Sequence, residues 1–246
     1  MTTKEMMPDD EIEFDLSYPV VDDTLIKYKT GERYIVGYLC CDDTAIYPDE
    51  NDEDENLFLV NYHRDFDVRR DKIITERDAR NWWREDYTDY EDEDENGNPI
   101  KMLNIPQSEK YWTFPLTCYV HSGVRLYIGD GRLPFDSQGW DTSHVGMVLV
   151  AKSEWTEEAD AEKAAHGLVE TWNQYLSGDV YGVIVEVMDE TGAPIDDEKD
   201  SCWGYYGFDY ANQSLSELMQ CKKEQFEKEE AEYRRVAGVQ LELFPL

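Results

Sequence analysis

Residues 156–188 read TEEADAEKAAHGLVETWNQYLSGDVYGVIVEVM, and this stretch decides the fold class. In residues 156–176 the apolar positions Ala161, Ala165, Leu168, Trp172 and Tyr175 recur at helical spacing, which predicts a helix with one buried face. Glu157 and Glu158 suit its first turn, where carboxylates meet the positive end of the helix dipole. Gly178 suits its exit, because glycine takes the left-handed conformation without a Cβ clash. Residues 180–188 then turn β-branched and apolar, which predicts a strand ending in the Asp189-Glu190-Thr191-Gly192 turn. Strands are expected at RYIVGYLC (33–40), LFLVNY (57–62), VRLYIGDGR (124–132), VGMVLVAK (145–152) and WGYYGF (203–208). A short helix is expected over 75–85, with Thr75 as its N-cap and Asp78 at the third helical position.

The last helix opens, on this reading, with a capping box of Ser214 and Glu217. Leu215, Leu218, Met219, Phe226 and Tyr233 give it one apolar stripe, and Gly238 after Arg234 and Arg235 reads as its stop. No repeat or Pro/Ser-rich linker divides the chain. The expected architecture is one α+β domain over 1–237, with a mixed or antiparallel sheet and two main helices. Acidic low-complexity loops interrupt it at 49–56 and 86–98, and a tail of residues 238–246 lies outside the fold.

Charge bounds the function. Of 246 residues, 56 are Asp or Glu against 23 Lys or Arg, for a formal net charge of −33. Such a field repels nucleic acids and anionic membranes and attracts basic proteins. With 41% hydrophobic and 13% aromatic residues the chain is nevertheless too apolar for a disordered acidic polymer. The five cysteines (Cys40, Cys41, Cys118, Cys202, Cys221) lack C-x-x-C spacing and read as reduced, mostly core thiols, Cys202 among them. MTTKEMMPDDEIEF has no apolar run of signal-peptide type, and no stretch nears the length of a membrane span, so a cytoplasmic protein is expected.

Residues 121–144 hold the densest set of chemical side chains: His121, Asp130, Asp136, Asp141 and His144. Two histidines and three aspartates in one hairpin-like segment could hold a divalent metal for hydrolysis. The same Gly- and Asp-rich composition is also ordinary turn chemistry, and no pair has H-E-x-x-H or H-x-H spacing. No G-x-S-x-G elbow or phosphate loop is present, and no cofactor is expected.

The acidic runs suggest a different role. Asp49, Glu50, Asp52, Glu53, Asp54 and Glu55 form one run; Asp86, Asp89, Glu91, Asp92, Glu93, Asp94 and Glu95 form the second. Carboxylates at phosphate-like density on a folded body can occupy the basic groove of a DNA-binding protein; the plainer alternative is a solvated, solubilising surface.

HSGV (121–124), WDTSHVG (140–146), ETWNQYLSGDVYG (170–182) and DSCWGYYG (200–207) resemble a family of uncharacterised bacteriophage and mobile-element proteins. That resemblance implies a context, action inside a bacterium, and no residue role. The C-terminal Gln240-Leu241-Glu242-Leu243-Phe244 resembles the bacterial sliding-clamp-binding peptide Q-L-[S/D]-L-F, with Glu242 standing where Ser or Asp is usual. Such peptides dock extended; Gln240 would bond the pocket rim while Leu241, Leu243 and Phe244 fill it, each buried apolar side chain contributing ~1.5–3 kcal/mol. A C-terminal strand packed on the core is the alternative.

Together these readings lead to a non-enzymatic, phage- or plasmid-encoded acidic protein of the DNA-mimic type. It would inhibit a basic host DNA-binding or defence protein, of the anti-restriction or anti-CRISPR class, while its tail tethers it to the sliding clamp. The alternatives are a metal-dependent hydrolase or nuclease built on residues 121–144, and a clamp-docked replisome accessory.

Overall fold

A computed structural model describes residues 12–48, 55–70, 72–81, 88–93, 99–103, 107–129, 133, 135, 136 and 138–243. In chain order the elements begin with β1 (Ile26–Thr30), β2 (Arg33–Cys41), β3 (Leu57–Asn61) and α1 (Glu76–Asn81). Then come β4 (Thr88–Glu93), β5 (Pro99–Leu103), β6 (Tyr111–Val120), β7 (Val124–Ile128) and β8 (Thr142–Ala151). The chain continues through α2 (Glu158–Ser177), β9 (Val180–Met188), β10 (Pro194–Tyr206) and α3 (Phe208–Leu243). Antiparallel sheets and helices together make the fold α+β, as the sequence indicated. The described residues fall into two compact units, one from Met1–Ala45 with Gly178–Leu246, the other from Ile46–Ser177.

The first unit is a four-stranded sheet in the order β1-β2-β9-β10. Its central strands are buried on both faces. On one face Ile35, Leu39, Val183, Val185 and Val187 meet Ala211, Leu215, Met219 and Phe226 of α3. On the other, Tyr34, Val36, Tyr38, Cys40, Ile184 and Met188 are covered by Ile12, Phe14, Leu16 and Val20. That covering N-terminal strap is tied down at Asp15 N–H, which donates to Gly192 C=O (3.0 Å), and at Val21 N–H, which donates to Leu39 C=O (2.8 Å). α3 starts where Gly207, at φ 88°, turns the chain out of β10. The expected capping box is therefore internal to the helix, and Glu217 instead accepts from Gln213 Nε2 at 2.8 Å.

The second unit is a four-stranded sheet in the order β3-β8-β6-β7, with the β4–β5 hairpin as a separate sheet. One face of the larger sheet (Leu59, Phe114, Leu116, Leu126, Val148 and Val150 among others) packs against Ala161, Ala165, Val169 and Trp172 of α2. The opposite face presents Phe58, Val60, Met147 and Leu149 to Ala79 of α1 and to Ile74. Thr75 caps α1 as expected: its Oγ1 accepts from Asp78 N–H at 3.2 Å. Pro115 sits inside the central strand β6, where a missing N–H would normally cost a ladder bond. Past the Leu116↔Ile128 pair, Pro115 C=O still accepts from Gly129 N–H at 2.8 Å, and the Gly129 carbonyl that the imide nitrogen cannot serve accepts from Thr117 Oγ1 instead.

The glycines of β2 and β8 sit where neighbours come too close for a Cβ. At Gly37 of β2 a built Cβ would run into the Met219 thioether and lie 3.0 Å from Leu215 Cδ1. At Gly146 of β8 it would meet the Val60 carbonyl of β3. A thioether can swing aside, whereas a paired carbonyl cannot move without unzipping the strand. Gly37→Ala should therefore cost about 1–3 kcal/mol, and Gly146→Ala more, measured by urea unfolding.

Candidate functional site

α3 is longer than the sheet it covers. Its 36 residues span about 54 Å, whereas the nine residues of β2 span about 30 Å. The contact with the sheet runs from Ala211 to Phe226. It is prolonged by Glu227, whose Oε1 accepts from Tyr28 O–H at 3.1 Å, and by Glu230, whose Oε1 lies against Gly31. Beyond that point Tyr233 is 76% exposed and Val236 44% exposed. The helix thus runs past its own sheet and carries Gln240, Leu241 and Leu243 with it; Phe244 lies outside the described residues. Gly238 does not stop the helix, contrary to the sequence expectation. A mid-helix glycine costs only ~1 kcal/mol relative to alanine, which good helix formers on both sides can absorb.

The first acidic run, Asp49, Glu50, Asp52, Glu53 and Asp54, lies outside the described residues, as do Asp86, Asp94 and Glu95 of the second. Glu55 is exposed. Asp89, Glu91, Asp92 and Glu93 were expected in a loop and instead belong to β4, paired with β5 in a register that sets Glu91 opposite Lys101. Cross-strand pairing of backbone groups can make a strand of TDYEDE although its sequence has no apolar run. α3 adds carboxylates that no sequence run announced. Gln213, Gln220 and Gln225 hold Glu217, Glu224 and Glu229 one turn further on, at 2.8, 2.8 and 2.9 Å.

Among the described residues, the histidines and aspartates of 121–144 do not converge. His121 Nδ1 and Asp141 Oδ2 form an exposed pair at 3.1 Å. His144 is directed instead toward α1, its Nε2 3.2 Å from Ala79 C=O. Asp130 lies outside the described residues. Asp136 is fully engaged: Oδ1 accepts from Gly139 N–H (3.0 Å) and Trp140 N–H (3.2 Å), and Oδ2 from Asp141 N–H (3.1 Å) and Thr142 Oγ1 (2.6 Å). Among the described residues no group of three or more His, Cys, Asp or Glu could hold a metal ion. Asp136 is a loop organiser, and Thr142 with the three backbone donors holds its carboxyl below the usual range.

A buried polar cluster under the strap went unremarked in the sequence, although Glu186 is the one charge inside the apolar VYGVIVEVM. Glu186 is only 2% exposed. Its Oε2 accepts from Tyr38 O–H (3.2 Å) and Ser17 N–H (3.4 Å), while Oε1 faces Lys199 Nζ at 3.7 Å. Burial first, and then the Glu186 charge, push the Tyr38 phenol upward, so it stays a donor. Of the cysteines only Cys40 and Cys118 are buried; Cys41, Cys202 and Cys221 are exposed, so Cys202 is not the core residue expected. Burial raises the Cys40 and Cys118 thiols to about 11, which leaves neither as a poised nucleophile at neutral pH. Among the described residues no helix is long and apolar enough to cross a membrane.

Because the folded Asp136 carboxyl is depressed, its stabilisation is present above its unfolded pKa and lost as pH falls through the folded value. Asp136→Ala should therefore unfold at lower urea than the parent above about pH 5, with the gap closing as pH falls below the ordinary aspartate range. Against protein-family models, curated proteins and solved structures alike, the chain finds no match.

Proposed function

We propose that this is a non-enzymatic acidic binding protein that acts inside bacteria, encoded by a phage or plasmid. Its carboxylate surface engages a basic, DNA-handling host protein, and its C-terminus tethers it to the sliding clamp. The observation that carries the tether is the overrun of α3, which takes Gln240, Leu241 and Leu243 past the sheet beyond exposed Tyr233 and Val236. Clamp peptides bind extended, so docking requires the last turn of the helix to unwind. That turn is the least costly part of a helix to release, because its final carbonyls have no intrahelical partner. Tethering supplies effective concentration, which compensates for a tail of micromolar strength.

For the body, the support is the net charge of −33 together with carboxylates drawn from β4, α3 and the two acidic runs. An interaction built on such charge weakens steeply with salt, whereas the apolar tail contact does not. Wild-type protein should bind immobilised bacterial sliding clamp with micromolar affinity at both low and high salt, and Leu243→Ala with Phe244→Ala should weaken it by at least about tenfold. Pull-down from bacterial lysate at low salt should recover a DNA-binding protein that duplex DNA then displaces. Clamp binding unaffected by the double substitution would overturn the tether. Clamp recovery with no DNA-binding protein would leave a clamp-docked accessory, and recovery of neither would end the proposal.

A further inference from the structure

The first unit contains a cleft of about 810 Å³ between the strap, the end of β2 and β10. We propose that it is a binding site for an arginine side chain presented by a basic protein, with Trp203 and Tyr18 as its aromatic wall and Asp22, Asp42 and Asp43 at its mouth. The described residues that line it belong neither to the acidic runs nor to the tail, so its test is separate from theirs.

The wall is fixed by packing. Trp203 lies over Gly182, where a built Cβ would come within 2.6 Å of its Cε3. Tyr18 meets Trp203 edge-to-face, with ring centroids 5.1 Å apart at 80°. Trp203 nevertheless remains 39% exposed and Tyr18 36%, large values for aromatics so firmly seated. The Cys40 thiol in the lining is neutral because burial raises it to about 11.

The charge at the mouth is also arranged in advance. Asp42 is held from both sides: Oδ1 accepts from Thr44 N–H and Thr44 Oγ1, each at 3.1 Å, and Oδ2 from Gly204 N–H of β10 at 3.2 Å. Asp22 and Asp43 are exposed and have no hydrogen bond or ion pair among the described residues. No lysine or arginine is among the described residues that line the cleft. The chain itself supplies an example of the expected contact beside it. Lys199 Nζ sits 4.2 Å from the Tyr18 ring centroid, with its charge met by Glu186 at 3.7 Å.

Electron-rich ring faces next to unpaired carboxylates favour a cation over a neutral or anionic guest. A guanidinium suits them better than an ammonium, because it stacks flat on indole and forms paired hydrogen bonds to a carboxylate. The cleft is within the range of volumes that ligand sites occupy, so flanking peptide can enter with the side chain.

The test uses the full-length protein, ¹⁵N-labelled, with the indole N–H signal of Trp203 assigned by its loss in Trp203→Phe. The probe is an acetyl-Gly-Arg-Gly-amide peptide, compared with its citrulline and lysine counterparts. The arginine peptide should shift the Trp203 signal saturably, the lysine peptide more weakly, and the uncharged citrulline peptide at least about tenfold more weakly. Asp43→Asn, at an exposed position, should weaken the arginine response about threefold without changing the urea midpoint. A citrulline response equal to that of arginine would mark a merely apolar cleft and overturn the proposal. No shift with arginine, tighter binding of lysine, or an unaltered response in Asp43→Asn would overturn it equally.

Discussion

Burial of the β2–β9 pair on both faces is the constraint from which the first unit follows. A sheet covered on one side can leave alternate residues in water, but Arg33–Cys41 and Val180–Met188 are apolar at nearly every position. Two separate covers are therefore required, and the chain supplies them from its opposite ends: the strap over residues 12–21 and the helix α3. The same arrangement explains why the few polar groups on these strands are so closely tied. Glu186 can remain under the strap only because Tyr38, Ser17 and Lys199 surround it. The cleft beside Trp203 lies at the margin of this packing, where the strap leaves the sheet at Val21 and β2 ends.

Much of this was legible in the sequence, in proportion to how strongly hydrophobic pattern dictates each element. β9 was read with its observed ends, and α2 to within two residues, because long periodic apolar runs have few alternatives. β6 was missed: Thr113, Pro115 and Thr117 break its apolar run, and Pro115 is tolerated there because Thr117 Oγ1 serves the Gly129 carbonyl that a proline nitrogen cannot. β1 was missed because an edge strand needs only Ile26 and Tyr28 facing inward, while Lys27 and Lys29 face outward. The start of α3 was read late, as Gly207 rather than the Ser214–Glu217 pair sets it, and its end was read early at Gly238.

Site legibility followed a different logic. Residue type suggested a metal centre over 121–144, but convergence is a tertiary property; backbone donors engage Asp136, and β8 directs His144 away from His121. The residues around the cleft come from three separate stretches, and none carries a motif. Trp203 drew notice only within the expected strand 203–208 and the DSCWGYYG block, and Asp42 drew none. What joins them is the register Cys40↔Gly182 and Cys202↔Val183, which sets the ends of β2 and β10 on either side of β9.

The connection between β2 and β9 has a consequence for the order of events on the ribosome. Asp42 N–H donates to Val180 C=O at 2.9 Å, so these strands meet as a hairpin would, yet the whole of Ile46–Ser177 is threaded between them. At about 5–20 residues per second, synthesis of that insertion takes on the order of ten seconds. Throughout that interval the nascent β2 has only β1 and the strap as cover, with β9 and α3 still unmade. The inserted unit, contiguous in sequence, can collapse as it emerges, whereas the unit that encloses it closes last. The lysines and carboxylates that flank β2 then have a task before the fold exists: keeping a waiting apolar strand from pairing with another chain.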